Sequence, residues 1–235
     1  MKILIETLFA GTAEPLGNGR VQSCINKRPI APPWRILRTG LAGDSQADLR
    51  HHGGPEKALH HYPRDHYAAW IEEDPELARA LTHPGAFGEN LSTFGIDENA
   101  ICIGDVCAAG SALIQVSQGR QPCWKLNLRF GRKDMALRVQ KSGRTGWYYR
   151  VLREGVIEPG SALELVERAR PDWPLSRMAA LLYGGGPGDP GELSEMASIP
   201  ELSLSWRSLA ARRITMERVE DSTARLDGPN LQQRE

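Results

Sequence analysis

Short apolar runs, repeatedly cut by glycine and proline, constrain this chain more than any other feature. With 24 glycines and 16 prolines in 235 residues, few stretches are long enough for an extended helix. Lys2 to Leu8, Val21 to Ile30 and Trp34 to Thr39 read as strands, separated by turn-rich segments such as Gly11 to Arg20. Ala100 to Val116 alternates apolar and polar residues about Gly104 and Gly110, which predicts two strands joined by a turn. Trp147 to Leu152 and Ala162 to Val166 read as closing strands. Helices are expected after Pro63, over Pro75 to Leu81, and over Leu126 to Gln140 with a break near Gly131. Many short strands with brief helices predict a mostly β chain, a barrel decorated by helices.

The pattern changes near residue 170. Pro174 to Leu182, Gly191 to Ala197 and Leu204 to Arg218 read as three helices, too small a set to hold much core alone. They are expected to dock on the barrel or on a partner. The organisation expected is a barrel over 1–169, a three-helix unit over 170–220, and a polar, aperiodic tail over 221–235 that is expected to be mobile.

Acidic and basic residues balance at 29 each, which argues against a protein that coats nucleic acid or an anionic membrane. No apolar run has the length of a membrane span, and Glu6 interrupts the N-terminal apolar run too early for a signal peptide, so a cytoplasmic protein is expected. Of the four cysteines, Cys24, Cys102 and Cys107 lie in strand-like segments and read as small buried hydrophobes. Their spacing matches no zinc-ligand pair.

Cys123 differs. It stands at a strand-to-helix turn, in Ser117-Gln118-Gly119-Arg120-Gln121-Pro122-Cys123-Trp124-Lys125-Leu126, with Arg120 before it and Lys125 and Arg129 after it. Fixed positive charge favours the thiolate, which serves as a nucleophile or as a soft metal ligand. A solvated basic face is the plain alternative for the three cations. A second stretch runs Asp48-Leu49-Arg50-His51-His52-Gly53-Gly54-Pro55-Glu56-Lys57-Ala58-Leu59-His60-His61-Tyr62. Gly53 and Gly54 permit positive φ and close approach of backbone to an anionic ligand. Glu89 and Asn90 either orient a ligand or close a turn.

These stretches occur in order with Phe87-Gly88-Glu89-Asn90-Leu91 and Gly104-Asp105. Together they resemble the MOSC family, named for the C-terminal domain of molybdenum cofactor sulfurase, and within it the YiiM-like branch. Leu181-Leu182-Tyr183-Gly184 and Leu204-Ser205-Trp206 are similar to that branch's three-helix domain. The resemblance departs at Gly119 and in the tail. It implies a β-barrel-like domain, the molybdenum cofactor as ligand, and Cys123 as the residue that ligates molybdenum. It further implies reduction of N-hydroxylated compounds, such as N-hydroxylaminopurine base analogues, as a detoxification. Electrons would come from a flavoprotein reductase or a similar donor, without direct nucleic-acid or membrane binding, and a homodimer is left open. A carrier or sulfur-transfer protein without turnover is the competing reading.

Reducing N–OH to N–H takes two electrons and two protons, and no side chain cycles two electrons without a redox group. On this reading Gly53, Gly54, Lys57, Asn90, Gln118, Arg120, Cys123 and Lys125 are the candidate cofactor contacts. His52, His61 and Tyr62 are the candidate proton donors, a role worth roughly 10²- to 10⁴-fold. Neighbouring histidines on a strand face opposite sides, so one of each pair is expected in the pocket, and His52 and His61 are the expected ones. A zinc enzyme built on the histidines and a thiol hydrolase built on Cys123 are the remaining alternatives. Both lack a supporting motif.

Overall fold

The computed structural model describes residues 1–19, 21–48, 53–216 and 221–228. The chain is mostly sheet. Its principal sheet has six strands in the order Lys2–Leu4, Ala162–Glu167, Val106–Ala109, Ala112–Gly119, Trp147–Arg153 and Leu59–His61. All the pairings are antiparallel. The ladder ends at Lys2–Leu4 on one side and Leu59–His61 on the other, so the expected barrel is realised as a curled half-barrel rather than a closed ring.

The expected first two strands are shorter than their apolar patterns. Only Lys2–Leu4 of the first joins the principal sheet, while Phe9–Ala10 pairs with Arg28–Pro29. Val21–Ser23 pairs instead with Glu14–Leu16. Pro29 and the turn residues between these pieces limit each ladder to two or three pairs, since proline cannot donate to it.

One core lies between the sheet and the C-terminal helices. Ile114, Val116, Trp147 and Tyr149 pack in the same cluster as Met178, Leu182, Met196 and Trp206. Those last four belong to Leu175–Tyr183, Pro190–Ser198 and Leu204–Met216, which form the C-terminal helical unit. The unit docks along Ser117-Gln118-Gly119. Ser203 N donates to Ser117 O at 2.8 Å, and Ser205 Oγ donates to Gln118 Oε1 at 3.3 Å. Gly119 is required there because a Cβ would lie 2.8 Å from the Trp206 ring.

A second cluster joins Tyr62, Trp70, Phe87, Leu126, Phe130, Val139 and Leu226. Within the tail, Thr223–Leu226 forms a short helix with Leu226 buried. Among the described residues no helix is long and apolar enough to cross a membrane.

Candidate functional site

Sheet register decides which side chains reach the site. Tyr148 stands opposite His60, and Trp147 opposite His61, on the paired strands Trp147–Arg153 and Leu59–His61. Successive side chains on a strand face opposite ways. His60 and Tyr148 therefore share one face, with ring centroids 5.0 Å apart. Leu59, His61, Trp147 and Tyr149 share the other and enter the core.

The His60–Tyr148 face opens onto a cavity of about 80 Å³. Cys123 lines it, with Lys27, Lys57, Arg120 and Lys125 as cations and Asp44 and Asp48 as carboxylates. The strand Ala112–Gly119 delivers Arg120 at its end, and the helix Lys125–Phe130 begins just after Cys123. Burial lowers the Lys57 ammonium against the opposing pull of Asp48 and Cys123, so the lysine lies within electrostatic reach of the thiol. Arg120 hydrogen-bonds Tyr148, and burial raises the Tyr148 phenol, which stays protonated at neutral pH.

Two polar atoms in this lining have no hydrogen-bond partner although they are buried: Arg120 Nη1 and His60 Nε2. Such atoms normally find a partner, and a bound ligand is one source. Burial first, and the charge of Arg120 second, hold His60 well below the ordinary histidine range. It also hydrogen-bonds the Gly88 backbone, and with Nε2 unpartnered the engaged nitrogen is Nδ1.

Among the sequence candidates, Cys123, Lys57, Arg120, Lys125 and Asn90 line the cavity. Asn90 is nonetheless occupied in holding the frame. Its Nδ2 donates to Phe9 O at 3.0 Å and to Asp44 Oδ2 at 2.8 Å, and its Oδ1 accepts from His60 N at 3.0 Å. Glu89 closes the adjacent turn: it accepts from Tyr67 Oη at 2.5 Å, Gly85 N at 2.7 Å and Phe87 N at 2.9 Å.

The others sit elsewhere. His61 is fully buried between Tyr149 Oη at 3.1 Å and Thr93 Oγ1 at 2.8 Å, and desolvation pushes it down to about 3. Tyr62 is fully buried, stacks on Phe87 at 4.0 Å and accepts from Trp70 Nε1 at 2.6 Å, so it belongs to the core. Gln118 serves the helical docking seam. Neither Gly53 nor Gly54 is among the described lining residues. Gly54 does take positive φ, 96°, but nothing lies within 4 Å of where its Cβ would be. His52 lies outside the described residues, as does His51.

Sequence reasoning missed His60, Tyr148, Cys24, Lys27 and Asp44, all of which line the cavity. Leu59 was a usable signal for the first, because an apolar residue two positions before His61 puts His61 on the core face. Cys24 is a wall of the cavity rather than a simple core hydrophobe. Its thiol is raised by burial, with Lys27 opposing. Lys27 forms a buried ion pair with Asp44, whose Oδ1 also accepts from Gly11 N at 2.8 Å. Nothing local links residues 24, 27 and 44 to 120–125.

The chain matches the MOSC domain model over residues 48–164 and the YiiM-like, 3-alpha helix domain model over residues 173–215. Protein YiiM of Escherichia coli is 39% identical over 221 residues, spanning 94% of this chain and 97% of YiiM. The chain belongs to the MOSC-domain family, in its YiiM-like branch. This is a family whose domain binds the molybdenum cofactor. The crystal structure of a hypothetical protein superposes with a TM-score of 0.84 at 35% identity, covering 98% of this chain and 97% of that one. A protein named Reductase in Gibberella moniliformis is 40% identical over 156 residues, which is 66% of this chain and 28% of that longer protein.

Proposed function

We propose that the chain is a molybdenum-cofactor-dependent reductase that converts N-hydroxylated compounds, N-hydroxylaminopurine bases among them, to amines. Cys123 is its ligand to molybdenum. The observation that carries this reading is one cavity that combines the Cys123 thiol, four cationic side chains and two side chains with unpartnered buried nitrogens. A cysteine thiolate is a soft metal ligand. Arginine and lysine suit a phosphate, arginine by its bidentate fork. No group of three His, Cys, Asp or Glu side chains suited to a metal occurs among the described residues. A thiol set among cationic side chains fits an anionic cofactor that carries its metal with it. The name of the Gibberella moniliformis relative agrees with reductive chemistry.

Lys57, Arg120 and Lys125 would hold the anionic cofactor, and Cys123 its metal. When bound, the cofactor supplies the two-electron exchange that side chains lack. The chain's own residues bind, orient and handle protons. Neutral His60 offers a ring nitrogen to hydrogen-bond the substrate, and it is not a stored acid at neutral pH because of its lowered value. Tyr148, a phenol held by Arg120, carries a proton that can be donated toward the departing hydroxyl. Electrons come from a separate donor, a flavoprotein reductase or a similar protein.

Metal and pterin analysis of protein freshly purified from cells that make the cofactor tests the proposal. Molybdenum and pterin bound to wild type and absent from Cys123→Ala are expected, with reduction of an N-hydroxylated purine by the wild type alone. One zinc per chain without molybdenum or pterin would overturn it. Full cofactor occupancy without turnover of any hydroxylamine would instead make the chain a carrier.

A further inference from the structure

Cys123 sits in an irregular stretch between the strand ending at Gly119 and the helix beginning at Lys125. No ladder of its own holds that stretch. Both peptide groups that flank the Cys123 Cα are instead engaged by one residue about a hundred positions away. Arg225 Nη1 donates to the Pro122 carbonyl at 2.6 Å, ahead of the cysteine. The Arg225 carbonyl accepts from Trp124 N at 2.7 Å, just after it.

Further contacts fix Arg225 itself. Its Nη2 donates to Gln140 Oε1 at 2.7 Å. Its neighbour Leu226 is buried in the cluster of Leu126 and Phe130, and the Leu226 carbonyl accepts from Asn127 Nδ2 at 2.8 Å. Gly228, at a φ of 78°, lies so near Trp124 that a Cβ would be 2.6 Å from the indole. The whole strap, residues 221–228, lies beyond both stretches matched by the family models.

We propose that Arg225 is a positioning residue for Cys123. Its strap restrains rotation on both sides of the Cys123 Cα and so presents the thiol to the cavity in one direction. Buried polar backbone groups without a partner are costly, so docking the strap also satisfies Pro122 O and Trp124 N. The importance of that restraint rests on Cys123 being the working residue of the site.

The test uses the full-length chain without cofactor, as wild type, Arg225→Ala, Arg225→Lys and Leu226→Asp. Native-state hydrogen exchange is read at the Trp124 amide, with the Ile114 and Val116 amides as internal references. Alkylation of Cys123 by iodoacetamide is mapped by mass spectrometry, with Cys102 and Cys107 as references. Arg225→Ala keeps the carbonyl that accepts from Trp124 but loses the side-chain bonds to Pro122 O and Gln140 Oε1 that hold the strap in place. A net cost of about 1.4 kcal/mol in docking predicts about tenfold faster exchange at Trp124, with Cys123 alkylation rising in step and the references unmoved. Leu226→Asp, which undocks the strap by another route, reproduces the change, and Arg225→Lys reverses part of it by restoring a donor to Pro122 O. Wild-type exchange at Trp124 in both Arg225→Ala and Leu226→Asp overturns the proposal, and so does an equal rise at the reference amides. Neither readout needs molybdenum, so failure of the cofactor assignment and failure of the strap are separately visible.

Discussion

Replacing His61 with glutamine gives a sharp test of where the site ends and the core begins. His61 is fully buried, its ring nitrogens bonded to Tyr149 and Thr93, and desolvation lowers it to about 3. In the unfolded chain a histidine titrates near 6.5. A base whose folded value is depressed binds its proton more readily in the unfolded state, so its contribution is intact above about pH 6.5 and is lost as pH falls toward about 3. Each pH unit inside that window removes about 1.4 kcal/mol, so lowering the pH to about 4.5 removes roughly 3 kcal/mol through His61 alone. Guanidinium unfolding of wild type and His61→Gln at about pH 7.5 and pH 4.5 isolates this share, because other titrating groups are common to both proteins. The variant is expected to lose roughly 3 kcal/mol less than wild type between the two conditions. Equal pH dependence in the two proteins would refute the burial of a neutral His61 and return it to the list of site residues.

The neighbouring histidine behaves differently: His60→Gln should lower kcat/KM for an N-hydroxylated purine about tenfold, the worth of one buried hydrogen bond, while His61→Gln stays within about threefold. Steady-state kinetics on the two variants check this, and a reversed ranking would overturn the assignment of faces. Asp44→Ala strands the Lys27 ammonium, leaves the Gly11 amide without its acceptor and removes one of the three hydrogen bonds of the Asn90 side chain, so urea unfolding should report a loss of about 3–5 kcal/mol. Asp44→Asn, which retains some hydrogen bonding but not the charge, should fall between the two, and a loss under about 1 kcal/mol in Asp44→Ala would contradict the buried pair.

The fold was readable to the extent that local pattern sets it. Period-two alternation located Val106–Ala109 and Ala112–Gly119, and helical spacing located the three C-terminal helices. The curl that leaves the sheet open between Lys2–Leu4 and Leu59–His61 was not readable, because edge pairing depends on strands remote in sequence. The short helix at Thr223–Leu226 was not readable for a related reason. A four-residue helix with one buried leucine has no period to detect, and its order comes from contacts with Pro122, Trp124, Asn127 and Gln140.

At the site the division is similar. Sequence alone marked Cys123 as an unusual thiol between Arg120 and Lys125, because charge neighbours along the chain are local information. It also established that His60 and His61 face opposite ways, since backbone pleating alone ensures this. Which of them meets the cavity was settled by the partner strand, where Tyr148 pairs with His60 and Trp147 with His61. Lys27, Asp44 and Cys24 join the site only because separate loops converge on it. The clamp on Cys123 likewise comes from Arg225, brought about a hundred residues back along the chain by the burial of Leu226.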